Sequence, residues 1–203
     1  MSKLLLVRHG ETELNSSLRY WGKTDVPLGT NGVKAAESLR ERLAGEKIDC
    51  VYSSTLQRAL VTAQTIAAPH NLEVIRCPEL NEIDFGKMEG LAFSQINQKF
   101  PEIARLWMQR SPDLAYPEGE SLQELDKRVK DFRERLSRHN ATDVALIVAH
   151  SGVLRTLICQ LLGLEIAARW KMRLDLGSLS IVDTYSETAI LSLLNDTSHL
   201  KLS

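Results

Sequence analysis

The chain has 203 residues, 25 Lys+Arg against 26 Asp+Glu, 43% hydrophobic side chains and a formal net charge of −1, the proportions of a single globular domain over 1–203. A chain of that size buries roughly 70% of its unfolded surface, so neither disulfides nor a structural metal are needed to fold it. Near balance of charge argues against nucleic acid as the main partner. The three cysteines, Cys50, Cys77 and Cys159, are odd in number and far apart, which suits a reducing cytoplasm and draws no Cys-x-x-Cys site. The run Leu4–Val7 is too short for a signal peptide, and no run approaches the roughly 18 apolar residues of a membrane span, so the expected location is cytoplasmic with no membrane partner.

Leu4–Val7 has the continuous apolar character of a buried strand, and a loop rich in Gly, Asn and Ser follows it. Thr30 or Asn31 is expected to cap a helix with Val33, Ala36, Leu39 and Leu43 on one face, ending at Gly45. Cys50–Ser53 is a second strand. Ser54-Thr55-Leu56-Gln57 has the form of a capping box, opening a helix with Leu56, Leu60, Ala63 and Ile66 on one side. A short strand falls near Leu72–Ile75. The stretch from Glu79 to Gly119 is irregular and carries Phe85, Phe93, Trp107 and Tyr116, as an insertion of short helices would. Ser121-Leu122-Gln123-Glu124 is a second capping box, and Leu122, Leu125, Val129, Phe132 and Leu136 outline a long amphipathic helix. Val144–Ala149 is the strongest strand, Gly152–Leu162 an apolar helix, and Leu179–Tyr185 with Ala189–Leu194 a closing hairpin. The alternation predicts an α/β sandwich around a mostly parallel sheet.

Three reactive residues occupy corresponding places in this order. His9 follows the first strand, Arg58 lies in the first turn after Cys50–Ser53, and His150 follows Val144–Ala149. Ligands of open parallel sheets bind beyond the carboxyl ends of the strands, and the helix starts near Thr55 and Gly152 aim N–H groups there. Two histidines meeting Arg8 and Arg58 suit an oxyanion, with phosphate the first choice. Gly22-Lys23-Thr24 ends like a P-loop, but Ser17 stands where that loop needs glycine. No Asp-x-Asp, no Cys followed by Arg at active-site spacing and no Gly-x-Ser-x-Gly occurs, and no two histidines have helical metal-ligand spacing. His70, His139 and His199 are expected to be solvated.

Leu6-Val7-Arg8-His9-Gly10-Glu11-Thr12 resembles the Arg-His-Gly motif of the histidine phosphatase superfamily, the phosphoglycerate-mutase-like phosphohydrolases. The likeness continues through Asn15, Gly22, Tyr52 to Ala59, Leu80 to Gly86 with Glu89-Gly90, and Val148-Ala149-His150-Ser151-Gly152, in the family's order. It implies a three-layer α/β/α sandwich with a mostly parallel mixed sheet, one domain over 1–203, and a helical insertion or lid at about 86–120. It also implies a metal-independent phosphomonoesterase without cofactor. His9 would be the nucleophile, its other ring nitrogen held on a carbonyl. Arg8, Arg58 and His150 would surround the phosphoryl oxygens, with Asn15, Gly22 and Ser151 as further substrate contacts. Glu82, ahead of its rivals Glu79 and Glu89, would serve the leaving alcohol as proton donor and the hydrolytic water as base.

Between Phe85 and Ser121 the sequence is most similar to the alpha-ribazole phosphatases of cobalamin synthesis, through Gly86 to Gly90, Pro101, Trp107 and Pro117 to Ser121. Phe93, Trp107, Met108 and Tyr116 would either line an apolar wall for a benzimidazole or pack the insertion's own small core. Similar chains act on phosphoserine, sugar phosphates or many monoesters, some are phosphoglycerate mutases, and a catalytically silent phospho-ligand binder is the non-enzyme alternative. The partner expected in each case is a small phosphorylated metabolite, and a homodimer stays open.

Overall fold

The computed structural model describes residues 2–14, 19–136, 139–140 and 142–200. Its centre is explained by the first strand, β1 (Ser2–Arg8), where Leu4, Leu5, Leu6 and Val7 are all buried. Side chains alternate across a strand, so a run with no polar partner needs cover on both faces. Leu4 and Leu6 join one apolar cluster, Leu5 and Val7 the other.

The sheet has six strands in the order β3-β2-β4-β1-β5-β6, with β2 Cys50–Ser53, β3 Val74–Arg76, β4 Val144–Ala149, β5 Leu179–Thr184 and β6 Ala189–Asp196. The first four strands are mutually parallel, whereas β5 and β6 form an antiparallel hairpin beside β1. Helices α1 (Thr30–Leu43) and α2 (Gln57–Ala67) bring Leu39, Leu43, Ala59, Ala63 and Ile66 to the face of Leu5 and Val7. The opposite face is covered by two longer-range helices, together with α3 (Phe93–Lys99) and α4 (Pro101–Met108). The two are α5 (Leu122–Leu136) and α6 (Ser151–Leu161). This is the three-layer sandwich expected, with the mixed sheet in the middle.

All five residues of the α5 stripe are buried, and its capping box is formed in both directions: Ser121 N donates to Glu124 Oε2 at 2.7 Å, Glu124 N to Ser121 Oγ at 3.2 Å. Other boundaries differ from expectation because distant partners take over the caps. Gly29 is the N-cap of α1, since Asn31 instead donates to Glu11, and Val33 is exposed. The expected box at Ser54–Gln57 is absent. Asn81 Oδ1 accepts Thr55 N, Asp25 Oδ1 accepts Gln57 N, and α2 begins at Gln57. Strand β3 is shifted toward Arg76, and α6 starts at Ser151 with His150 as its N-cap. Among the described residues no helix is long and apolar enough to cross a membrane.

The segment 86–120 does not build a core of its own. Ile96, Ala104, Leu114 and Tyr116 belong to the main cluster on the α5 and α6 face. Trp107 contacts the rings of Tyr20, Phe85, Phe93 and Tyr116, and Met108 faces solvent.

Candidate active site

Strand register decides which side chains meet. Pairing of β1 with β4 runs to Arg8 opposite Ala149, and pairing of β2 with β4 runs to Ser53 opposite Val148. The chain leaves all three strands at one level: His9 N donates to Ala149 O at 3.1 Å and Ser54 N to Val148 O at 3.1 Å. The imidazoles of His9 and His150 consequently meet edge to face, centroids 4.9 Å apart.

Both rings have assignable tautomers. A carbonyl only accepts, so the 2.7 Å contact with Gly10 O puts the His9 proton on Nδ1 and the lone pair on Nε2. Ser54 Oγ donates its single proton to Asn81 Oδ1 at 2.8 Å, an atom identified as oxygen because it also takes Thr55 N–H at 2.9 Å. The 2.8 Å contact between Ser54 Oγ and His150 Nε2 is then an N–H donation by histidine, leaving His150 Nδ1 buried and, among the described residues, without a partner. Burial and the charges of Arg58 and Arg8 hold the pKa of His9 well below 6.5; burial, with His9, Arg58 and Arg8, does the same to His150. Both are neutral at physiological pH.

The arginines are fixed through backbone carbonyls. Arg8 Nη1 donates to Leu174 O at 2.6 Å, while burial lowers its pKa to about 10, so it stays cationic at neutral pH. Arg58 donates to Thr24 O at 2.8 Å and Gly22 O at 2.6 Å. Neither forms an ion pair among the described residues. The loop holding Arg58 is tied down by Glu89, whose carboxylate accepts from Gly22 N, Lys23 N, Thr24 N, Thr24 Oγ1 and Phe85 N. A side chain at Gly22 would overlap the backbone of Ile83. This glycine is needed for close approach of two loops, with its N–H spent on Glu89 and its carbonyl on Arg58.

Glu82 Oε1 accepts from Ile83 N at 3.0 Å and Oε2 from Gly152 N at 3.2 Å. A Cβ on Gly152 would overlap Glu82 Oε1 and lie 3.1 Å from Arg169 Nη2, so glycine admits both groups to the start of α6. A cleft of about 390 Å³ opens beside Glu82, lined by Lys23, Leu56, Pro78, Asn81, Asp84 and Arg128 among others.

Arg8, His9, Arg58 and His150 thus converge, and the charge of Glu82 acts on both Arg8 and Arg58. Ser151 opens α6, and its carbonyl accepts Arg155 Nε at 3.0 Å. Asn15 lies outside the described residues. Five contributors escape sequence reading: Ser54 and Asn81, which orient His150; Glu89, ranked there as a rival acid; and the pair Arg155 and Arg169. Asn81 and Glu89 were legible only as members of a longer motif, since their partners stand 27 and 67 positions away. The helix N–H groups expected to face a ligand at Thr55 and Gly152 are already taken by Asn81 and Glu82. The three remaining histidines are not simply solvated: His139 bonds Tyr52 Oη at 2.7 Å, His199 donates to Gly177 O at 2.9 Å, and His70 Nε2 is buried.

The model of the histidine phosphatase superfamily (branch 1) matches residues 4–197. Phosphoserine phosphatase 1 of Hydrogenobacter thermophilus is 36% identical over 98% of this chain and 95% of its own. The adenosylcobalamin/alpha-ribazole phosphatase of Escherichia coli K12 is 35% identical over 95% of both chains. A phosphoserine phosphatase of Entamoeba histolytica, solved with phosphoserine, superimposes with a TM-score of 0.88 at 30% identity, over 98% of this chain and 100% of that one. With its motif histidines, arginines and glutamate gathered at the ends of three parallel strands, the chain belongs to the histidine phosphatase superfamily and is a phosphatase of it.

Proposed function

We propose that the chain hydrolyses phosphomonoesters through a phosphohistidine at His9. The observation that carries this reading is the state of that ring: neutral, with Nδ1 locked on Gly10 O and the lone pair on Nε2, among guanidiniums without carboxylate partners. His9 Nε2 attacks phosphorus as the bond to the ester oxygen breaks, and Glu82 supplies that oxygen with a proton. Water then attacks phosphorus, Glu82 takes its proton, and the N–P bond breaks to return free His9 and phosphate. Arg8 and Arg58 hold the non-bridging oxygens, where phosphoryl transfer is governed by positioning and charge. A phosphate dianion next to His150 offsets the cations that keep that ring neutral, favouring a proton on Nδ1 and turning it into one more donor.

Two leaving groups compete within this class. The alpha-ribazole 5′-phosphate reading, with its place in cobalamin synthesis, draws on the resemblance of 86–121 and on the E. coli relative. The phosphoserine reading draws on the Hydrogenobacter and Entamoeba relatives. Tyr116, which would have faced a benzimidazole, is buried in the main core, and the partly buried Trp107 and Phe93 pack against that core through ring contacts, which favours a small polar ester.

The test is turnover of p-nitrophenyl phosphate with trapping of an acid-labile phosphoryl-enzyme. His9→Ala should lower kcat by about 10⁴-fold or more and leave no label. Turnover retained in a pure His9→Ala sample would refute the nucleophile, and a wild-type protein that binds phosphate but never labels would establish the silent alternative.

A further inference from the structure

We propose that Arg155 and Arg169 form a second anion subsite that holds a carboxylate on the leaving group, so that the substrates are small phosphorylated carboxylic acids. The subsite rests on the phosphatase reading for which bond is cleaved, but its occupancy does not depend on turnover.

Arg169 is 4% exposed in the 3-10 segment Ile166–Lys171. Its Nη2 donates to Gly152 O at 3.2 Å, and its Nε is buried with no partner among the described residues. Arg155, half-buried on α6, donates only Nε, to Ser151 O at 3.0 Å. Both guanidiniums lie against the Trp170 ring, 5.9 and 5.4 Å from its centroid, which gives the two planar groups a common support. Among the described residues neither is within ion-pair distance of a carboxylate. The acid whose charge reaches both is Glu82, already held by two backbone N–H groups.

Two desolvated like charges side by side are costly unless an anion joins them. Burial lowers the pKa of each, and the charge of Arg155 lowers that of Arg169 further, a direction that a bound anion reverses. The cleft on the other side of Glu82 makes no such demand: Lys23 is paired with Asp84 at 3.1 Å and Arg128 with Glu120 at 2.5 Å.

Position sets the size of the ligand. Arg155 stands one turn along α6 from Ser151, about 6 Å at 1.5 Å rise per residue, and Arg169 Nη2 shares with Glu82 the space around Gly152. An anion there lies next to the departing oxygen, at the reach of a two- or three-carbon acid. A guanidinium fork matches a carboxylate in two-point contact.

The experiment compares 3-phosphoglycerate with glycerol 3-phosphate, which replaces the carboxylate by a hydroxymethyl group. Calorimetric titration uses His9→Ala protein, where neither ester is consumed. Binding should favour 3-phosphoglycerate by about tenfold or more, and Arg155→Gln or Arg169→Lys in that background should reduce the preference to about twofold. In the protein with His9 intact, the ratio of kcat/KM for the two esters should fall by the same factor in either variant. Equal binding of the two esters overturns the subsite, and so does a stronger preference for 1,3-propanediol bisphosphate, which would assign the arginines to a second phosphate. A carboxylate preference in binding together with absence of phosphohistidine overturns the phosphatase reading and upholds the subsite.

Discussion

The two sides of Glu82 are built by different means. On the phosphate side each cation or imidazole is tied to main chain or to a buried hydroxyl: Arg8 to Leu174 O, Arg58 to Gly22 O and Thr24 O, His9 to Gly10 O, His150 to Ser54. On the far side Arg155 and Arg169 each have a single hydrogen bond among the described residues and lie against the same indole ring. Charge stabilisation in phosphoryl transfer needs donors that do not reorganise, and strand ends supply them. Recognition of a leaving group tolerates looser support, and helix α6 with the segment after it provides that.

The largest expected effect on this contrast comes from Arg58→Lys. An ammonium cannot span Gly22 O and Thr24 O while facing the phosphoryl group, so kcat/KM should fall about 100-fold, by one factor for every ester. A loss that varied with the leaving group would dissolve the division between the two sides. Next is Gly152→Ala, whose methyl overlaps Glu82 Oε1. Hydrolysis of alkyl phosphates should fall about 30-fold, and that of p-nitrophenyl phosphate much less, because nitrophenolate departs without a proton. Equal losses on both would remove Glu82 from proton transfer. A smaller change follows from Glu89→Gln: an amide NH₂ replaces one oxygen among the N–H donors of Gly22, Lys23, Thr24 and Phe85. Leaving such donors unmatched costs about 1–3 kcal/mol, read as a lower urea midpoint; an unchanged midpoint would show that Glu89 does not brace the loop.

The same contrast explains what was legible in the sequence. Strands β2 and β4 were placed to the residue because their apolar runs are covered on both faces, and α5 because its stripe and capping box agree. His9, Arg58 and His150 could be placed because they adjoin those strands. A helix start is not legible in the local sequence where a residue far along the chain provides the cap, as Asp25 and Asn81 do for α2. The aromatic residues of 86–120 carry no periodicity that separates a ligand wall from core packing; the packing of Trp107 on Phe85 and Tyr116 is visible only in the fold. Arg155 and Arg169 look like solvated helix charges until the fold brings both against Trp170, with no carboxylate at ion-pair distance among the described residues.

The smallest effect expected tests whether the phosphate side is poised for an anion in the folded state. His9 and His150 ordinarily titrate near 6.5 and are held well below that by burial and by the arginines. Between the folded and unfolded pKa values the unfolded chain binds more protons than the native one, so stability rises with pH through that window. The melting temperature should therefore be level above about pH 7 and fall progressively as the pH drops below 6.5. His9→Asn removes one of the two groups and should make that acid slope shallower. Inorganic phosphate should do the same in the unmutated protein, because the bound dianion raises both histidine pKa values toward their unfolded ones. Arg155→Gln, on the other side of Glu82, should leave the slope nearly as it was, since neither histidine owes its main shift to that residue. A slope that His9→Asn leaves intact would mean that the acid lability arises from carboxylates elsewhere and that the pocket histidines are not held neutral against an energetic cost.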